Sequence, residues 1–114
     1  MSDFRVNEGK GFGITFPNGI TLSTQIGAGN YCDNYGGPIT SEIPRGMESA
    51  CAELAVWDAS GDWITKRMMA ELPAELTNGK GGDDVVPYAP VELWIAVVAW
   101  CAAQPALAEA RPEA

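Results

Sequence analysis

The sequence predicts an α+β fold, an antiparallel sheet of two β-hairpins with one C-terminal helix packed on one face. Three observations carry this reading. Two runs of alternating apolar and polar residues each break at a three-residue turn ending in glycine, Pro17-Asn18-Gly19 and Ala59-Ser60-Gly61. A third stretch, Val91 to Ala103, sets apolar residues at helical spacing between Pro90 and Gln104-Pro105.

In the first hairpin, Gly11 to Phe16 and Ile20 to Ile26 flank the turn. A two-residue Asn18-Gly19 loop would pair Phe16 with Thr21 and Ile14 with Ser23, mixing apolar and polar side chains on one face. A three-residue loop has Pro17 opening a type I turn and Gly19 in the left-handed position. It pairs Phe16 with Ile20 and Ile14 with Leu22. Pattern and turn chemistry agree only in this second register.

The second hairpin joins Cys51 to Asp58 with Asp62 to Arg67. Centring the turn on Ser60 pairs Val56 with Ile64, Trp57 with Trp63 and Glu53 with Arg67. One face is then aliphatic, and the other carries a tryptophan pair and an ion pair. Between the hairpins, Gly27 to Glu48 is a long Gly-, Asn- and Pro-rich loop in which Tyr31, Cys32, Tyr35 and Ile39 are expected to pack in part. Met68 to Leu76 reads as a short helix or an extended arm, and Asn78 to Asp84 as a loop.

The last element is the clearest helix. Pro90 suits the first helical position and Glu92 the positive end of the helix dipole. The stripe Val91, Trp94, Ile95, Val98, Cys101 and Ala102 is expected to cover the aliphatic face of the sheet. Leu93, Val97 and Trp100 then point elsewhere and are expected to form a self-association seam, so a homodimer is anticipated. One domain is expected over 1–105, with a disordered tail of Ala, Glu and Pro over 106–114.

A chain of 114 residues can bury one core without metals or disulfides. Fifteen acidic against seven basic side chains, with no histidine, give a net charge of −8. That balance opposes direct binding to nucleic acid and to anionic membranes, and favours a basic protein partner. The cysteines Cys32, Cys51 and Cys101 are odd in number and unrelated in spacing, which fits reduced thiols in a cytoplasm. The polar stretch Met1 to Lys10 has no apolar signal core, and the apolar run Val91 to Ala103 is too short to span a bilayer, so neither export nor a membrane anchor is expected.

Without histidine no cysteine nucleophile has its usual base, and a Ser-His-Asp arrangement is excluded. Asp58, Ser60 and Asp62 alternate as in part of a calcium loop, but the glutamate that would complete one is missing, so no metal is expected. Gly27-Ala28-Gly29-Asn30 and Gly79-Lys80-Gly81-Gly82 match neither the P-loop nor the dinucleotide fingerprint. The expectation is therefore no enzyme, no catalytic residue and no cofactor. The strongest interaction signal is the Trp57 and Trp63 face, with Thr15, Thr21, Ser23, Gln25 and Arg67 around it and Glu53, Asp58, Asp62, Asp83 and Asp84 as an acidic rim. The rival arrangement has Met68 to Leu76 folded over this face as a second small core.

Gly11-Phe12-Gly13-Ile14-Thr15-Phe16-Pro17-Asn18-Gly19-Ile20 and Gly29-Asn30-Tyr31-Cys32-Asp33-Asn34, with Ala52 to Asp58 and Gly82-Asp83-Asp84-Val85, resemble small acidic accessory proteins of tailed phages and prophages. These segments cover about a quarter of the chain and include no catalytic signature. The resemblance implies a phage protein that blocks host defence, as anti-CRISPR proteins do, by occupying a basic surface of a host protein or nucleoprotein complex in the host cytoplasm. A homo-oligomeric assembly protein is the leading alternative, and a small nucleotide-binding protein or enzyme the next.

Overall fold

A computed structural model of the chain describes residues 2–7, 10–37 and 48–106. The elements run β1 (Asp3–Val6), β2 (Gly11–Thr15), β3 (Thr21–Gln25), β4 (Cys51–Trp57), α1 (Thr65–Glu71), α2 (Ala74–Thr77), β5 (Val86–Pro90) and α3 (Val91–Ala103). The fold is α+β, with α3 on one face of the sheet, and the sheet has five strands rather than two hairpins. The strands lie in chain order β1-β2-β3-β4-β5, each antiparallel to the next.

The first hairpin has the anticipated register, with Ile14 opposite Leu22. The Phe16 N–H donates to the Ile20 carbonyl and the Gly19 N–H to the Phe16 carbonyl, both at 2.8 Å. Gly19 has φ +91°, the left-handed conformation such a loop needs. The second turn follows the same plan, with Gly61 at φ +92° and Asp58 N–H donating to Asp62 C=O at 2.9 Å.

The strand expected after the second turn stops almost at once. Trp57 and Trp63 form a single bridge, and the chain turns into α1 at Thr65. Pairing between β4 and β5 reaches only Leu54 and Val86; beyond it the Val56 carbonyl accepts the Ile64 N–H at 2.9 Å, while the Val56 N–H is left without a strand partner. The buried Thr65 hydroxyl closes the gap by accepting the Val56 N–H at 3.0 Å and donating to its carbonyl at 3.3 Å. The expected Glu53 to Arg67 ion pair is not formed, because Arg67 lies in α1, 5.2 Å over the Trp100 ring and 3.9 Å from Glu71.

Two further strands, β1 and β5, lack a clear strand signal in the sequence. In β1 the alternation is only four residues long. In β5 two prolines argue against a strand, but β5 is an edge strand, and Pro87 and Tyr88 together stand opposite Glu53 in a bulge between the pairs Ala52–Ala89 and Leu54–Val86.

The core lies between one sheet face and the helices. Leu22, Leu54, Val56, Val86 and Ala89 from the sheet meet Leu93, Val97, Trp100 and Cys101 of α3 and Met68 and Met69 of α1. This corrects the phase expected for α3: Leu93, Val97 and Trp100 are core residues and not a self-association seam, whereas Val91 and Ile95 are 60% and 58% exposed. The helix is apolar nearly all round, so periodicity alone could not choose its buried side. Trp94 still faces the sheet, donating its indole N–H to Thr24 at 2.9 Å. Pro90 sits one residue before the first helical position, in extended conformation.

The segment Met68 to Leu76 joins the same core as α3, with Leu72 and Leu76 against it. The rival arrangement, a second core over the tryptophan face, is therefore not what forms. The packing expected of Ile39 and the tail from residue 107 onward lie outside the described residues.

Candidate functional site

Strand alternation puts every second residue of the sheet on the face opposite α3. Three cross-strand rows follow from the register. Asp3, Thr15, Thr21 and Trp57 form one; Arg5, Gly13, Ser23 and Ala55 the next; Gly11, Gln25 and Glu53 the third. The middle row is small apart from Arg5 at the edge. It is the floor of a trough with threonines and a tryptophan along one side, and Arg5, Gly13, Ser23, Thr21 and Trp57 line a cavity of about 120 Å³ there.

Trp57 and Trp63 stand at the end of this face with ring centroids 5.5 Å apart and planes tilted by 42°. Trp63 is 53% exposed, although its ring is apolar over most of its area. The turn between them is fixed by Asp58, whose Oδ1 accepts the Ser60 N–H at 2.9 Å, the Ser60 hydroxyl at 2.7 Å and the Asp62 N–H at 3.1 Å. Asp62 accepts the same hydroxyl at 3.3 Å. Asp58 and Asp62 thus shape the tryptophan turn, and the Asp62 carboxylate also remains exposed.

The other acidic residues are dispersed. Glu53 is at the far end of the face, where it accepts the Asn30 side-chain amide at 3.1 Å and the Tyr31 N–H at 3.5 Å. Asp83 and Asp84 are exposed in the loop that enters β5 from the end of the sheet where β4 finishes. Arg67 belongs to the helix side and not to this face. Among the described residues, no group of three or more His, Cys, Asp or Glu side chains is placed to hold a metal ion.

Sequence reasoning missed a tyrosine cluster at the Glu53 end. Tyr31 stacks on Tyr35 at 5.2 Å and meets Tyr88 at 6.1 Å. Tyr88 has φ +52°, unfavourable for an aromatic residue, and the bulge together with its N–H bond to the Tyr31 carbonyl at 2.9 Å holds it there. Only the density of tyrosines near Gly27 to Glu48 could have hinted at this, since Tyr88 lies over fifty residues further on.

Cys51 and Cys101 hold their protons more tightly than ordinary thiols. Burial, followed by the neighbouring Asp33 carboxylate, pushes the Cys51 thiol above its ordinary value. Burial pushes Cys101 up to about 12. Asp33 accepts the Ala50 N–H at 2.8 Å and the Cys51 thiol at 3.4 Å, which hold its carboxyl below the usual range. These contacts tie the loop over 27–37 to the start of β4.

The arrangement is a five-stranded antiparallel sheet backed on one face by α3 and α1, with the tryptophan pair on the other. Comparison with protein families, curated proteins and solved structures finds no match to this chain. Among the described residues no helix is long and apolar enough to cross a membrane.

Proposed function

We propose that the protein is a non-enzymatic binding protein whose open sheet face engages a basic surface on another macromolecule. The observation that carries this is Trp63, half exposed and set against Trp57 on a face that neither α3 nor α1 covers. Leaving apolar ring area in water is unfavourable, and tryptophans on a polar surface are the usual centres of binding energy at interfaces. The net charge of −8 supports a basic partner, through attraction during encounter.

In its most concrete form the protein inhibits a host defence complex in the host cytoplasm, as the resemblance to acidic phage accessory proteins implies. The partner is then a basic protein or nucleoprotein complex, engaged through its protein surface and not through its nucleic acid. Affinity capture from a bacterial lysate with wild type and Trp63→Ala as parallel baits tests this. Recovery of a basic protein by wild type and its loss with Trp63→Ala is expected. Equal recovery by both baits, or recovery of no basic protein, contradicts it.

A further inference from the structure

The outer edge of β1 carries a pattern that is complementary to itself. Among the described residues β1 pairs with β2 on one side only and ends the sheet. The Asn7 N–H donates to the Gly11 carbonyl at 2.9 Å, so Asn7 directs its backbone groups toward β2. Backbone direction alternates along a strand, so Asp3 and Arg5 also bond inward, and Phe4 and Val6 present their N–H and C=O groups to the open edge.

The side chains sharpen this. Phe4 and Val6 lie opposite Ile14 and Phe12, on the helix side of the sheet, and are 81% and 77% exposed. Their apolar surface continues through Phe12 to a cavity of about 280 Å³ that Phe12 lines with Ile26, Val91 and Trp94. The described edge has no proline, lysine or bulge, which are common guards against strand pairing.

We propose that this edge pairs with the same edge of a second copy, in the antiparallel register centred on Phe4. Two-fold registers centred on a residue keep the faces matched. Centring on Asp3 sets Asp3 against Asp3 of the other copy, and centring on Arg5 sets the two arginines together. Only the register centred on Phe4 puts each Asp3 opposite the other copy's Arg5, at the closer, non-hydrogen-bonded pairing distance. It also places Phe4 against Phe4 and lets the outward groups of Phe4, Val6 and Ser2 exchange backbone bonds.

The two-fold axis is perpendicular to the sheet, so both tryptophan faces lie on one side of a continuous ten-stranded sheet, twice the five of one chain. The dimer can therefore present two Trp57 and Trp63 pairs together, which raises avidity for a partner with repeated sites. The pairing itself rests on β1 and stands whether or not the tryptophan face binds a partner.

Sedimentation velocity over a concentration series up to millimolar, at physiological salt, tests the pairing. Wild type is expected to dimerise reversibly. Phe4→Pro removes an N–H that points away from β2, so the monomer should keep its melting temperature while the dimer weakens by more than about 100-fold. Asp3→Arg should weaken it by about tenfold despite lowering the net negative charge, and Asp3→Arg with Arg5→Asp should restore it to within about threefold. A wild type that stays monomeric, a dimer that survives Phe4→Pro, or a charge swap no better than Asp3→Arg alone overturns the proposal.

Discussion

The side-chain amide of Asn18, in the turn between β2 and β3, donates to the carbonyl of Cys101 at 2.8 Å. The same amide reaches the Gln104 carbonyl at 2.7 Å, and its oxygen accepts the Ile20 N–H at 3.0 Å. One turn residue thus donates to two carbonyls at the end of α3 and fixes the helix on the sheet. Asn18→Ala should cost about 1–3 kcal/mol in a denaturant melt. Asn18→Asp should cost more at neutral pH, since it sets a carboxylate against carbonyls at the negative end of the helix, and should recover part of the loss on acidification.

The two turn glycines should respond differently. Both have positive φ, so alanine at either should cost about 1 kcal/mol in backbone strain. At Gly19 an added Cβ would also lie 2.7 Å from the Cβ of Ala59, whereas at Gly61 it would meet nothing within 4 Å. Thermal melts of Gly19→Ala and Gly61→Ala should therefore show the larger loss at Gly19.

Cys101 should give the fold an alkaline limit. Its folded value is raised from about 9 to about 12 by burial, so the folded state holds the thiol proton more tightly than the unfolded chain. Stability from this group is fully present below pH 9, falls as pH rises through the window, and is lost above about 12. Urea melts between pH 8 and 11 should show a steeper decline for wild type than for Cys101→Ala, whose starting stability is lower through the lost packing.

Asp33 and Cys51 are coupled in a way that labelling can read. The carboxylate contributes, after burial, to raising the thiol. Asp33→Asn should lower the Cys51 value and speed its alkylation at pH 8, because the rate follows the thiolate fraction. The expected change is several-fold, measured by mass spectrometry of the labelled peptides. Unchanged labelling would show that burial alone governs Cys51.

The sequence was most legible where one residue type had a single local solution. Glycine at the end of a three-residue turn sets the register of β2 and β3 locally. The Trp57 and Trp63 pairing was legible for the same reason. The rest depended on tertiary contacts. The phase of α3 is set by the core beneath it, and a helix with apolar residues on several sides does not encode that choice locally. Thr65 ends the second hairpin through bonds to Val56 that only the finished sheet makes available. Tyr88 joins Tyr31 through a bulge at a proline-rich edge, and neither spacing nor periodicity marks it.

The central claim, that the tryptophan face holds a basic partner, is tested most directly by binding kinetics on the captured partner at several salt concentrations. Trp63→Ala should raise the dissociation rate by on the order of 30-fold and leave association nearly unchanged, because the ring contributes to the bound state and not to encounter. Asp83→Asn with Asp84→Asn should instead slow association and flatten its salt dependence. A wild-type dissociation rate for Trp63→Ala would contradict the claim and place the binding surface elsewhere on the molecule.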